Sequence, residues 1–149
     1  MRGLVPLFAL TLFWSDIARA QTSEPTSDYV VREFGVPPEV PTGQLSDEVR
    51  RAIQVAFVDS FAQSSWDDAQ SAALAAIVAS NDPRLVWLIS DMMRFVSSGR
   101  LNDSLAGAAA DLLGIDPPVQ NQWDSITNHL IAWDIPAPPD YLPVKRAIF

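Results

Sequence analysis

The side chains able to do chemistry are few, and their spacing suits none of the common reactions. His129 is the one histidine, and there is no cysteine. That removes thiolate nucleophiles, disulfides, cysteine-based zinc sites and lipid attachment at an N-terminal cysteine. A single imidazole makes neither a metal site nor a nucleophilic triad. His129 sits beside an apolar stripe, where a place at a helix boundary is expected of it. Asp67-Asp68 offers two carboxylates for acid–base work. Adjacent residues on a helix do not face each other, so capping of a helix start explains the pair better. The acidic residues show no calcium-loop spacing, and no glycine-rich phosphate loop follows a strand. No catalytic, metal-ligating or cofactor-binding residue is therefore expected, and the chain reads as a non-enzyme.

Aromatic side chains are the other candidates. Trp66, Trp87, Trp123 and Trp133 occur at helical spacings, which normally means core. Trp87 is the exception, because Leu85, Leu88 and Ile89 already supply a core face. It is expected to touch a domain outside the chain or to pack under the N-terminal segment. Trp87 and Tyr141 are the candidate partner contacts. Pro136-Ala137-Pro138-Pro139 has the spacing of a polyproline II segment, best read as a stiff connector.

These residues must be held by a body, and the composition allows one. The chain has 149 residues, 48% hydrophobic and 19% charged, enough for one domain with a core. Its formal net charge is −8, and its basic spots are only the pairs Arg50-Arg51 and Lys145-Arg146. A nucleic-acid partner is not expected from such a surface.

Residues 1–20 read as a signal peptide. Met1-Arg2 is a basic start, Leu4 to Trp14 is apolar apart from Thr11, and Ala18-Arg19-Ala20 is a small-x-small cleavage pattern. The run is too short to span a bilayer, which needs roughly 20 apolar residues. The mature chain is expected to begin at Gln21 and to carry no stable membrane span. The alternative is retention of the segment as an uncleaved anchor, since Trp14 and Asp16 suit a cleavage region poorly. Export places the protein in the periplasm or cell envelope.

Residues 21–45 carry Pro25, Pro37, Pro38 and Pro41 and read as an extended lead-in, with Tyr29, Val30, Val31 and Phe34 as a short strand-like piece. Residues 46–135 read as a helical, repeat-like domain. Helix one is expected from Asp47 to about Gln63 behind a Ser46 cap, with Val49, Ile53, Phe57 and Phe61 on one face. Helix two is expected from Trp66 to about Ala79, with Ser65 and Asp68 as a capping box and an alanine-rich interior. Helix three opens at Asp82-Pro83 and is apolar over most of its circumference, with Gly99 as its C′ residue. Helix four is expected from about Asp103 to Leu113, ended by Gly114. Helix five opens at Asp116-Pro117 and carries Val119, Trp123, Ile126, Leu130 and Trp133 on a core stripe. Residues 136–149 read as a proline-rich connector.

The two Asp-Pro steps stand 34 residues apart, and the offset aligns the helices they open. Leu85 maps to Val119, Ile89 to Trp123, Met92 to Ile126 and Val96 to Leu130. In the preceding helices Ala72, Ala76 and Ala79 map to Ala106, Ala110 and Leu113. A small-residue helix followed by an Asp-capped, large-residue helix thus occurs twice, the logic of an α-solenoid unit. An irregular all-α bundle is the alternative.

The Asp-Pro openings resemble HEAT-type repeats. Asp82-Pro83-Arg84-Leu85-Val86-Trp87-Leu88, the Trp-rich fifth helix and Pro138-Pro139-Asp140-Tyr141-Leu142-Pro143-Val144-Lys145-Arg146 are similar to the N-terminal helical part of bacterial domain-of-unknown-function 3179 proteins. That family is exported or membrane-associated and has no assigned activity. Its Pro-Pro-x-Tyr and Lys-Arg stretch leads into a cysteine-bearing domain that the present sequence does not contain. The resemblance implies that residues 136–149 are truncated and that the chain is a fragment of a longer protein.

The expectation is an all-α, short HEAT-like stack of helical hairpins. It would serve as a non-enzymatic scaffold or interaction module, with a downstream domain or another exported protein as its partner. Two alternatives remain: the regulatory part of an enzyme whose catalytic domain lies outside the chain, and a free-standing periplasmic binding protein with an apolar pocket.

Overall fold

A computed structural model describes residues 28–63, 65–96 and 98–149. The expected signal segment and the first residues of the lead-in lie outside the described residues. The chain is all-α, and no strand occurs among the described residues. It divides into two compact units, Met1–Pro37 and Pro38–Phe149.

In the first unit the described residues form a helix, α1, over 28–34. This corrects the strand-like reading of Tyr29, Val30, Val31 and Phe34. Gly35, at φ 87°, closes it by donating to the Val31 carbonyl at 2.9 Å. The glycine closure agrees with a helix, and the β-preference of two valines depends on context.

The second unit begins irregularly, and Ser46 ends the irregularity. Its hydroxyl accepts from the Val49 amide at 3.2 Å, and Asp47 and Glu48 follow in the first turn. α2 runs Asp47–Ile53, passes into a π-helical stretch, Gln54–Asp59, and returns to α geometry as α3, Ser60–Gln63. Val49, Ile53 and Phe57 are buried as expected, but Phe61 is 40% exposed. Residues four apart overshoot a 3.6-residue turn, so a four-by-four series drifts around the helix. The i→i+5 bonding of the π stretch widens the turn and absorbs part of that drift.

α4 spans Asp68–Ala79, two residues shorter than expected at its start. Its cap is Asp67 rather than Ser65. The Asp67 carboxylate accepts from Ala69 N at 2.9 Å, and the Gln70 side chain accepts from Asp67 N at 2.9 Å. This is a reciprocal capping box with Asp and Gln in the two roles.

The Asp82-Pro83 step opens a helix as expected, through a 3-10 turn, Pro83–Leu85, that continues as α5, Val86–Phe95. α5 is buried on several sides: Leu85, Val86, Leu88 and Ile89 are at most 1% exposed. Each such side chain contributes about 1.5–3 kcal/mol of burial. The Arg84 guanidinium grips the Asp82 carboxylate at 2.8–3.2 Å and reaches back to the Gly43 carbonyl at 3.0 Å, tying the incoming loop to α5.

α6 spans Gly99–Leu113 and starts four residues before the expected Asp103. Ser98 caps it, so Gly99 opens α6 instead of closing α5. Gly114 at φ 70° ends it, and Ile115 N donates to the Ala110 carbonyl at 3.0 Å in a Schellman closure. Ala106, Ala109 and Ala110 are at most 1% exposed, a face of methyl groups pressed against α4, α5 and α7.

α7 spans Gln122–Ala132, not from Asp116-Pro117. Pro118 follows Pro117 directly and biases it away from helical geometry, so the second Asp-Pro step leads into an irregular stretch. Val119, expected in the core stripe, is 89% exposed, whereas Ile126 and Leu130 are fully buried. The 34-residue alignment therefore fails in detail at Leu85 and Val119, which are 0% and 89% exposed.

The proline-rich end also folds. Tyr141–Ile148 form α8, which packs on the π-helical stretch and buries Ile148. Pro143 is tolerated because it lies in the first turn, where its missing amide would have no intrahelical acceptor. α4 lies beside α6 and α5 beside α7, with α5 also packed on α6.

Candidate functional site

Trp87, the candidate on α5, and Tyr141, the candidate that opens α8, each make a hydrogen bond within the chain. Trp87 is half-buried, and its indole N–H donates to the Ile135 carbonyl at 2.8 Å. One turn on, Asp91 accepts a short hydrogen bond from the Tyr141 hydroxyl and lies 3.5 Å from Lys145 Nζ. Burial, then the hydrogen bond to Asp91 and its charge, push the Tyr141 phenol well above its usual range. These contacts fasten the segment after α7 onto α5.

The other indoles serve similarly. Trp123 donates to the Ser90 carbonyl at 3.0 Å, and Trp66 to Ser71 Oγ at 3.1 Å. Trp133 is buried and meets the His129 ring edge-on at 5.0 Å. His129 Nδ1 lies 2.7 Å from the Ser125 carbonyl, so its ring turns back onto its own helix. Asp67 caps α4, as its place in a first turn implies. Among the described residues no three His, Asp or Glu side chains are placed to hold a metal ion, and no helix is long and apolar enough to cross a membrane.

The feature best suited to function lies elsewhere. A groove of about 700 Å³ runs between the α3–α4 connection and the junction of α5 with α6. Met92 and Ser60 are buried in its floor, and Leu101, Val96 and Trp66 are half-buried along it. Phe61 and Phe95 stand at its edge, 40% and 59% exposed. Phe149 joins them: its ring centroid lies 5.4 Å from that of Phe61, edge-on, and 4.5 Å from that of Phe95. Several serine hydroxyls on the groove are already engaged. Ser60 donates to the Ala56 carbonyl at 2.6 Å, and Ser71 accepts from Trp66. Arg100 is the charged residue of the described lining.

None of Phe61, Phe95, Met92 and Arg100 stood out in the sequence as a site residue. A signal was present for Phe61, as the last member of a four-by-four series that must drift off a core face. Phe95 lies at the end of a helix already apolar on most sides, where a surplus aromatic has nowhere inward to go. Compared with family models, with curated proteins and with solved structures, the chain gives no match.

Proposed function

We propose that the chain is a non-enzymatic helical module of an exported protein. It would work in the periplasm or cell envelope as a scaffold or interaction module, with the groove as its binding surface. The observation that carries this reading is the concentration of apolar side chains at one open site. Phe61, Phe95 and Phe149 are exposed together, with Phe149 against both of the others, beside a groove floored by Met92. Large apolar side chains gathered at a concave surface commonly mark binding. The side-by-side packing of α4 with α6 and α5 with α7 supports a short stack of helical hairpins. The groove also favours a second reading, a free-standing binding protein for an apolar ligand.

Titration with the neutral apolar fluorophore N-phenylnaphthylamine tests the groove. Saturable binding of one dye per chain is expected. Ser104→Trp, which places an indole on the lining at an exposed position, should weaken it by about tenfold or more. Val119→Trp, on an exposed residue outside the lining, should leave it unchanged. Absence of saturable binding, or equal binding by both variants, would refute the reading.

A further inference from the structure

We propose that the groove binds a monomeric, single-chain anionic amphiphile, with a carboxylate head at Arg100 and its apolar chain along Met92, Leu101 and Trp66. This rests on the groove being a binding surface and goes on to name what fills it. Two independent properties select the occupant. The first is the apolar floor and the exposed phenyl rings, which gain from covering by a hydrocarbon chain. The volume, about 700 Å³, falls within the roughly 300–1,000 Å³ of small-molecule sites.

The second is charge. The protein carries a formal net charge of −8, so an anion meets repulsion over most of its surface. The described lining of the groove holds one cation and no carboxylate. Among the described residues the Arg100 guanidinium forms no ion pair; the same is true of Arg51, Arg94 and Arg146, but none of those three lines the groove. A guanidinium presents a planar fork of donors that matches both oxygens of a carboxylate. Arg100 lies in the first turn of α6, where the partial positive charge of the helix adds to its own. A cationic or zwitterionic amphiphile would gain the same apolar contacts without this charge match.

The full chain is titrated calorimetrically with dodecanoate and with dodecyltrimethylammonium, both below micelle formation. One dodecanoate per chain is expected, bound about tenfold or more tightly than the cation. Arg100→Gln should erase that preference, Arg100→Lys should keep part of it, and Ser104→Trp should block both amphiphiles. Arg100 is exposed, and an unchanged far-UV circular dichroism spectrum and urea midpoint check that Arg100→Gln is folded. Equal affinity for the two head groups, indifference to Arg100→Gln, or binding only to phosphatidylglycerol vesicles would overturn the proposal. So would tight binding of an apolar peptide with no affinity for dodecanoate. If neutral dye still binds in those cases, the groove stands and only its occupant is wrong; if the dye fails too, both readings fall.

Discussion

Replacing Arg84 by methionine should destabilise the second unit by about 3–5 kcal/mol, the usual cost of stranding one partner of a buried ion pair. The side chains of Arg84 and Asp82 are only 7% and 8% exposed. Arg84 Nε donates to Asp82 Oδ1 at 3.0 Å, and Nη2 donates to Oδ2 at 2.8 Å. Nη1 also satisfies the Gly43 carbonyl. Methionine preserves much of the aliphatic stem, so the loss reports the charge and its hydrogen bonds more than packing. After the change Asp82 still caps the amide of residue 84, but its carboxylate is buried without a counter-charge. Asp82→Asn keeps an oxygen for that cap and removes the charge. The double variant Asp82→Asn with Arg84→Met should therefore be more stable than Arg84→Met alone by about 1–2 kcal/mol. Equilibrium urea unfolding followed by far-UV circular dichroism measures this. With a slope of about 1–3 kcal/mol per molar, the single variant's midpoint should fall by about 2 M. A loss below about 1 kcal/mol would mean that the pair behaves as a solvated surface pair, and the reasoning would be wrong. Additive losses in the double variant would refute it equally.

Three further outcomes are expected. Tyr141→Phe removes the hydroxyl bound to Asp91 and should cost about 1 kcal/mol, less than a fully buried charged hydrogen bond because the cluster is partly exposed. The folded phenol titrates above the unfolded one, so its contribution is complete below about pH 10 and is lost as pH rises through the folded value. Urea midpoints should thus fall in strong alkali for the wild type, and less for Tyr141→Phe. Gly114→Ala forces a Cβ into a left-handed backbone at φ 70° and should cost about 1 kcal/mol, read as a melting temperature lower by about 4–8 °C. Ile126→Ala should cost about 2–5 kcal/mol, whereas Val119→Ser should change stability by no more than about 0.5 kcal/mol. Equal effects at these two positions would overturn the observed register of α7.

Where local chemistry decides a structure, the sequence announced it. Ser46 capped α2, Asp82-Pro83 opened the turn into α5, and Gly114 ended α6 as their side chains and dihedrals require. Errors arose where one signal had two meanings. Gly99 was read as the end of one helix and is the first residue of the next, because Ser98 supplies the cap. Pro143 falls in the stretch read as a proline-rich connector and sits in the first turn of a helix, where proline costs little. The two Asp-Pro steps look alike, and only the additional Pro118 separates the one that starts a helix from the one that does not. Trp87 was expected to touch a domain outside the chain or to pack under the N-terminal segment; its indole donates to the Ile135 carbonyl, 48 residues along the chain. No local pattern specifies such a contact. The groove was the least legible feature, since it assembles from α3, α4, α5 and α6, and each element contributes only one or a few of its residues.

The methyl face of α6 has a consequence for how this protein can change over generations. Ala106, Ala109 and Ala110 are at most 1% exposed on a helix that packs against three others. One nucleotide change in an alanine codon yields glycine, serine, threonine, valine, proline, aspartate or glutamate. Glycine loosens the helix by about 1 kcal/mol, and proline costs about 3 kcal/mol or more. Valine and threonine overfill the contact by about 1–3 kcal/mol, and the acids bury a charge. Serine is the mildest step, and it still brings a hydroxyl that needs a partner. Such codons offer almost no neutral route away from alanine. The triplet should persist in descendants of this gene long after the exposed positions around it, Val119 among them, have drifted beyond recognition.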